Sequence, residues 1–125
     1  MKPKASPFLI ALMLVSLGLA SSCAMDPVPV AVMPDISAKT DGVYTGGYDG
    51  GLVKATVAVT LSAGRIDAIK IVSHNCSPVG KKGEAVVDRV VERQTLAVDV
   101  VSGATGSSMV LLKAIEIAIS GEPGT

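Results

Sequence analysis

The chain has 125 residues, with 11 basic and 11 acidic side chains, one His, two Cys, two Tyr, one Phe and no Trp. So short a chain with balanced charge holds one small domain and lacks the basic footprint of a nucleic-acid binder. A core with so few aromatics must be built from Val, Ile, Leu, Ala and Met, and a tightly held ligand would stabilise it by binding only the folded state.

Lys2 and Lys4 precede an apolar run over residues 8–20, a basic region followed by a hydrophobic stretch too short to span a bilayer comfortably. Ala20-Ser21-Ser22-Cys23 then resembles a bacterial lipobox. The resemblance implies a signal peptide over residues 1–22, lipidation of Cys23 and a membrane-anchored, extracytoplasmic protein at the cell surface or in the periplasm. Without Lys2, Lys4 and Phe8, acids outnumber bases by two, and Tyr44 and Tyr48 are the remaining aromatics. Residues 23–40, interrupted by Pro27, Pro29 and Pro34, read as a tether that holds the domain off the membrane.

The domain is expected over residues 41–121. It opens with Asp41-Gly42-Val43-Tyr44-Thr45-Gly46-Gly47-Tyr48-Asp49-Gly50-Gly51, where glycines fit a sharp turn or bulge between extended segments. Val53, Ala55, Val57, Val59 and Leu61 alternate with Lys54, Thr56, Ala58 and Thr60, the period of a strand with one buried face. Ser62-Ala63-Gly64 turns the chain into a second strand over residues 65–72. There Ile66 and Ala68 are out of phase with Ile69 and Ile71, which calls for a bulge or burial on both faces. After a polar loop over residues 73–80, Val86/Val90 and Val87/Val91 recur at helical spacing through about Arg93. A second helix, apolar around most of its girth, begins near Ser107 and ends at Gly121. Strands grouped before helices indicate an α+β fold: a small antiparallel β-meander packed against two helices.

Between the helices stands Asp99-Val100-Val101-Ser102-Gly103-Ala104-Thr105-Gly106-Ser107-Ser108. Glycines that permit close backbone approach and a run of hydroxyls at a helix N-terminus make a ready site for a phosphate, or an ordinary Ser/Thr cap after a glycine turn. Asp99-x-x-Ser102-Gly103-Ala104-Thr105-x-Ser107 resembles the flavinylation motif of the FMN-binding domain family, and the likeness extends over roughly residues 41–120. That family includes the FMN-carrying subunits of the Rnf and sodium-pumping quinone reductase complexes and small extracytoplasmic electron carriers. The resemblance implies FMN, delivered from FAD by a flavin transferase of the ApbE type and joined through a phosphoester to Ser107. It implies that Ser102, Gly103, Ala104, Thr105 and Gly106 line the phosphate and ribityl chain, and that Asp99 serves recognition or bonds to the loop backbone.

Tyr48 or Tyr44 could cover a face of the isoalloxazine ring. The loop with His74 and Cys76 would border the flavin edge or be plain solvated loop; these two side chains alone fall short of the four ligands of a structural zinc site. The expected function is electron transfer by a membrane-anchored flavoprotein between unidentified donor and acceptor proteins, rather than stand-alone enzymatic catalysis. A module that binds FMN or another ligand without a covalent bond is the alternative, and a structural lipoprotein without cofactor a further one.

Overall fold

A computed structural model describes residues 28–121; the leader, Cys23 and residues 24–27 of the expected tether lie outside the described residues. Three strands, β1 (Gly42–Asp49), β2 (Lys54–Ser62) and β3 (Arg65–Asn75), form an antiparallel meander in the order β1-β2-β3. Two helices follow, α1 (Ala85–Arg93) and α2 (Thr105–Ser120), with a short 3-10 turn at Gly80–Glu84 leading into α1. The α+β fold expected from the sequence is the fold observed.

The alternation in β2 is kept: Ala55, Val57, Val59 and Leu61 are buried, and Thr56, Ala58 and Thr60 lie on the half-exposed outer face. One face of an antiparallel sheet can remain wet while the other carries the core. Between β2 and β3, Ala63 (φ 52°) and Gly64 (φ 71°) are both left-handed, as the tightest hairpin loops require. Asp41 supports that turn by accepting a 2.9 Å bond from the Ala63 N–H.

The phase slip in β3 is a pair of bulges. Pairing passes from Leu61↔Ile66 to Thr60↔Ala68, skipping Asp67, and from Val57↔Ile71 to Thr56↔Ser73, skipping Val72. Each extra residue resets the alternation. Ile66, Ile69 and Ile71 therefore all contribute to the core side.

Gly46 and Gly47 stand inside β1 rather than in a turn. A β-carbon on Gly46 would collide with the Ala118 backbone of α2, its Cα at 2.6 Å, and would stand 2.8 Å from the Ala114 carbonyl. The missing side chain is what lets α2 lie directly on β1. The turn between β1 and β2 uses Gly51 instead (φ 88°), with Asp49 accepting its N–H at 2.9 Å.

Helix α2 buries Val110, Leu111, Leu112, Ala114, Ile115, Ala118 and Ile119, more apolar surface than three strands and a two-turn helix can cover. The segment over residues 28–40 covers part of what is left, so it is not the free spacer its prolines suggest. Ile36 enters the core, and Val28, Ala31 and Met33 pack against it. The Val32 N–H donates to Glu116 Oε2 at 2.8 Å, and Lys39 Nζ donates to the Gly121 carbonyl at 2.7 Å. The folded unit thus begins upstream of residue 41.

Candidate functional site

The segment over residues 94–104 runs from the end of α1 to the start of α2 and is fixed at several points. Gln94 adopts a left-handed conformation (φ 55°) at the end of α1, and its side chain reaches back to β3. Its Nε2 donates to the Ile66 carbonyl at 2.8 Å and its Oε1 accepts the Ile66 N–H at 2.9 Å. Arg89 Nη1 donates to the Asp99 carbonyl at 2.6 Å, so α1 also holds the middle of the segment. Gly103 takes φ 82°, a conformation that disfavours any side chain, and the Ala104 N–H closes the turn on the Val101 carbonyl at 3.0 Å.

Helix α2 begins at Thr105 with no side chain capping it and no acidic residue in its first turn. Its leading N–H groups and the positive end of its dipole are therefore free of a competing protein anion. The hydroxyls there divide into two kinds. Ser108 is fully buried; it accepts the Val101 N–H at 3.0 Å and donates to the Ala104 carbonyl at 2.8 Å, which ties the loop to the helix. Ser107 is 3% exposed and lies beneath the 3-10 turn. A β-carbon on Gly80 would stand 2.6 Å from Ser107 Oγ, and one on Gly83 would stand 2.9 Å from Ser107 Cβ. Ser102 and Thr105, by contrast, are exposed, with Gly103 exposed beside them and Ala104 buried.

Two clefts flank the segment, and Val98 and Val100 line both. On the α1 side a polar cleft of about 490 Å³ is lined by Arg89, Glu92, Arg93, Asp99 and Ser102. Its cations and acids alternate, so it has no single sign of charge. On the other side an apolar cleft of about 260 Å³ is lined by Leu96, Met109, Leu112 and residues 29–31, with Thr105 among the lining residues. Thr105 thus joins an uncapped helix N-terminus to an apolar recess.

The family model of the FMN-binding domain matches residues 47–120. The chain belongs to the FMN-binding domain family. An uncharacterized protein of Treponema pallidum (strain Nichols) is 38% identical over 78 residues, which cover 61% of this chain and 22% of that protein. The chain therefore spans a small part of the length of that relative.

FMN has a phosphate at one end and a flat, largely apolar ring system at the other, and the residues around Thr105 fit both ends. The free N–H groups of α2 suit the phosphate, and the apolar cleft suits the ring. The structure brings Ser102, Gly103, Ala104, Thr105 and Gly106 together at this corner. Asp99 lines the polar cleft instead, and its carbonyl, bonded to Arg89, is one of the points that fix the loop.

Ser107 does not share the exposure of its neighbours. A group on Ser107 Oγ would enter the space beside Gly80, so the 3-10 turn would have to shift to admit it. The tyrosines are placed elsewhere. Tyr44 is fully buried, with its hydroxyl donating to the Thr40 carbonyl at 2.7 Å, and Tyr48 packs against the core from β1; neither lines the two clefts.

His74 stands in line with Ala55 and Tyr48 across the sheet, on its helix-covered face. Its side chain is 2% exposed; Nδ1 lies 2.9 Å from Glu84 Oε1 and 3.6 Å from Cys76 Sγ. Facing a carboxylate, Nδ1 carries the proton, while Nε2 is buried without a partner among the described residues. The loop over residues 73–80 lines neither flanking cleft. Its His74 faces Glu84 and its Ser77 hydroxyl accepts the Gly80 N–H at 3.2 Å, so it is tied to the 3-10 turn that lies over Ser107.

Proposed function

We propose that this protein is an electron carrier outside the cytoplasm, with FMN esterified to Ser107 and a lipid on Cys23 holding it at a membrane. The observation that supports attachment at Ser107 is its position: it follows Ser102-Gly103-Ala104-Thr105-Gly106 in the first turn of an uncapped helix, within the residues that the family matches. The Ser107 hydroxyl would attack the FMN phosphorus of FAD, held by a flavin transferase. The P–O–P bond would break, AMP would leave, and the hydroxyl proton would pass to a base of the transferase. The mixed charge of the neighbouring Arg89–Asp99 cleft gives the transferase a polar feature to read beside the acceptor.

When bound, FMN supplies the redox chemistry, accepting electrons from one protein and yielding them to another. This chain's residues bind and orient. The N–H groups opening α2 hold the phosphate, Gly103 lets the backbone approach it, and Ser108 keeps the loop in register with the helix. A covalent bond suits a carrier beyond the reach of cytoplasmic FMN, since a lost cofactor would not readily be replaced there.

The test is mass spectrometry with peptide mapping of the full chain exported from cells that also make a flavin transferase. An FMN adduct on Ser107, absent from Ser107→Ala and retained in Ser107→Thr, is the expected result. An unmodified chain, from cells in which a control substrate is modified, overturns covalent attachment; flavin released on denaturation would then favour the non-covalent module. An adduct that persists in Ser107→Ala overturns the choice of Ser107.

A further inference from the structure

We infer that Val30, Val32 and Leu52 form a face that lies against the lipid surface of the membrane, so that the domain rests on the bilayer instead of swinging free on its lead. This rests on the lipid at Cys23 and not on the place of flavin attachment.

The three are the most exposed large apolar side chains among the described residues, at 78%, 69% and 74%. Single ones scattered over a protein surface are ordinary, but these gather where one stretch of chain arrives at the domain. Residues 28–33, Val-Pro-Val-Ala-Val-Met, contain no polar side chain. Val28, Ala31 and Met33 pack on the core, while Val30 and Val32 are left outward. A short segment that is apolar on both sides suits burial on both sides, and the protein covers only one. Leu52 joins the pair through the turn between β1 and β2. A β-carbon on Gly50 of that turn would stand 3.7 Å from Val28 Cγ2.

The position of the anchor decides what covers the open side. Cys23 stands seven residues before Val30, and at ~3.3–3.6 Å per residue even a fully extended chain keeps Val30 within about 25 Å of the lipid. The row is also held firmly to the domain, since the Val32 N–H is bonded to Glu116 of α2. A face fixed to the domain and tethered this closely meets the bilayer before any other described surface does. The acids beside it are each paired with a lysine, Asp49 with Lys54 at 3.3 Å and Glu116 with Lys113 at 3.0 Å. Neither leaves a bare negative charge for anionic headgroups to repel.

The full chain, lipidated in cells and reconstituted into vesicles of phosphatidylcholine and phosphatidylglycerol, tests this. Val30→Cys, Val32→Cys and Leu52→Cys, each in a Cys76→Ser background, take a fluorophore at a single position. Val72→Cys, on β3 at the other edge of the sheet and 57% exposed, is the control. Lipids with a quencher at the headgroup end of the acyl chain are expected to quench the three labels several-fold more than the control.

Quenching at the three positions no greater than at the control, as when a second protein covers them or the domain tumbles freely on its lead, overturns the inference. In that outcome the chain still sediments with the vesicles and has a lipid on Cys23 by mass. A chain without that lipid instead overturns the anchor on which the inference rests.

Discussion

Thr105 and Ser107 open the same helix turn, yet the Thr105 side chain is exposed and Ser107 is 3% exposed. Two residues on an α-helix are separated by about 200° of rotation, so they face opposite sides. One side of α2 looks outward past Gly103, and the other is pressed beneath the 3-10 turn. Replacing Ser107 with Ala should abolish flavin attachment. Replacing Ser107 with Thr keeps a hydroxyl at that position and should retain it. Flavin absorbance retained after denaturing gel filtration distinguishes the two.

Gly80 owes its identity to Ser107. A β-carbon there would stand 2.6 Å from Ser107 Oγ and 3.0 Å from Cys76 Cβ. Gly80→Ala should destabilise the protein by about 1–3 kcal/mol, as overpacking does. In a Ser107→Gly background the cost should fall, and a urea-denaturation double-mutant cycle measures that coupling. Gly46→Ala should show no such relief from any single side-chain removal, because the atoms it meets belong to the backbone of α2.

Gln94 ties the end of α1 to β3 through both ends of its amide, and Nε2 also donates to the Val91 carbonyl at 2.7 Å. Gln94→Glu keeps the shape but removes the donor and sets a carboxylate against the Ile66 and Val91 carbonyls. A loss of about 1–3 kcal/mol is expected, read as a lower urea midpoint with an unchanged slope. Because Gln94 opens the segment that carries the motif, amide hydrogen exchange over residues 95–104 should accelerate in the same variant.

Burial pushes the Glu116 carboxyl up, but the Val32 N–H and Lys113, which hydrogen-bonds it at 3.0 and 3.1 Å, together outweigh that and hold it below its usual range. A carboxyl with a lowered folded pKa contributes stability above its unfolded value and loses it as pH falls through the folded value. Acidification below the ordinary carboxylate range should therefore loosen residues 28–33 before the sheet. Hydrogen exchange at Val32 should rise on that descent, and in Glu116→Gln it should vary less with pH.

Much of the fold was legible in the sequence because it rests on local periodicity. The strict alternation of residues 53–61 set β2, the phase slip in β3 announced its bulges, and the valines at i, i+4 marked α1. The motif over residues 99–108 was legible through its resemblance to the family, because glycines and hydroxyls before an apolar helix also serve as an ordinary cap after a turn. Two readings failed for want of distant partners. Gly46 looked like a turn residue because nothing nearby in sequence indicates that α2 crosses it, and residues 28–40 looked like a spacer because an irregular segment has no period to betray its burial.

The sequence by itself determined the elements, their order and the place of the glycine and hydroxyl motif before α2, since dihedral preference and side-chain spacing act over a few residues. Which hydroxyl of that motif faces solvent was decided only by the tertiary structure. Exposure depends on what packs on each side of a helix, and the residues that lie against Ser107, Gly80 and Gly83, come from a part of the chain more than twenty residues away.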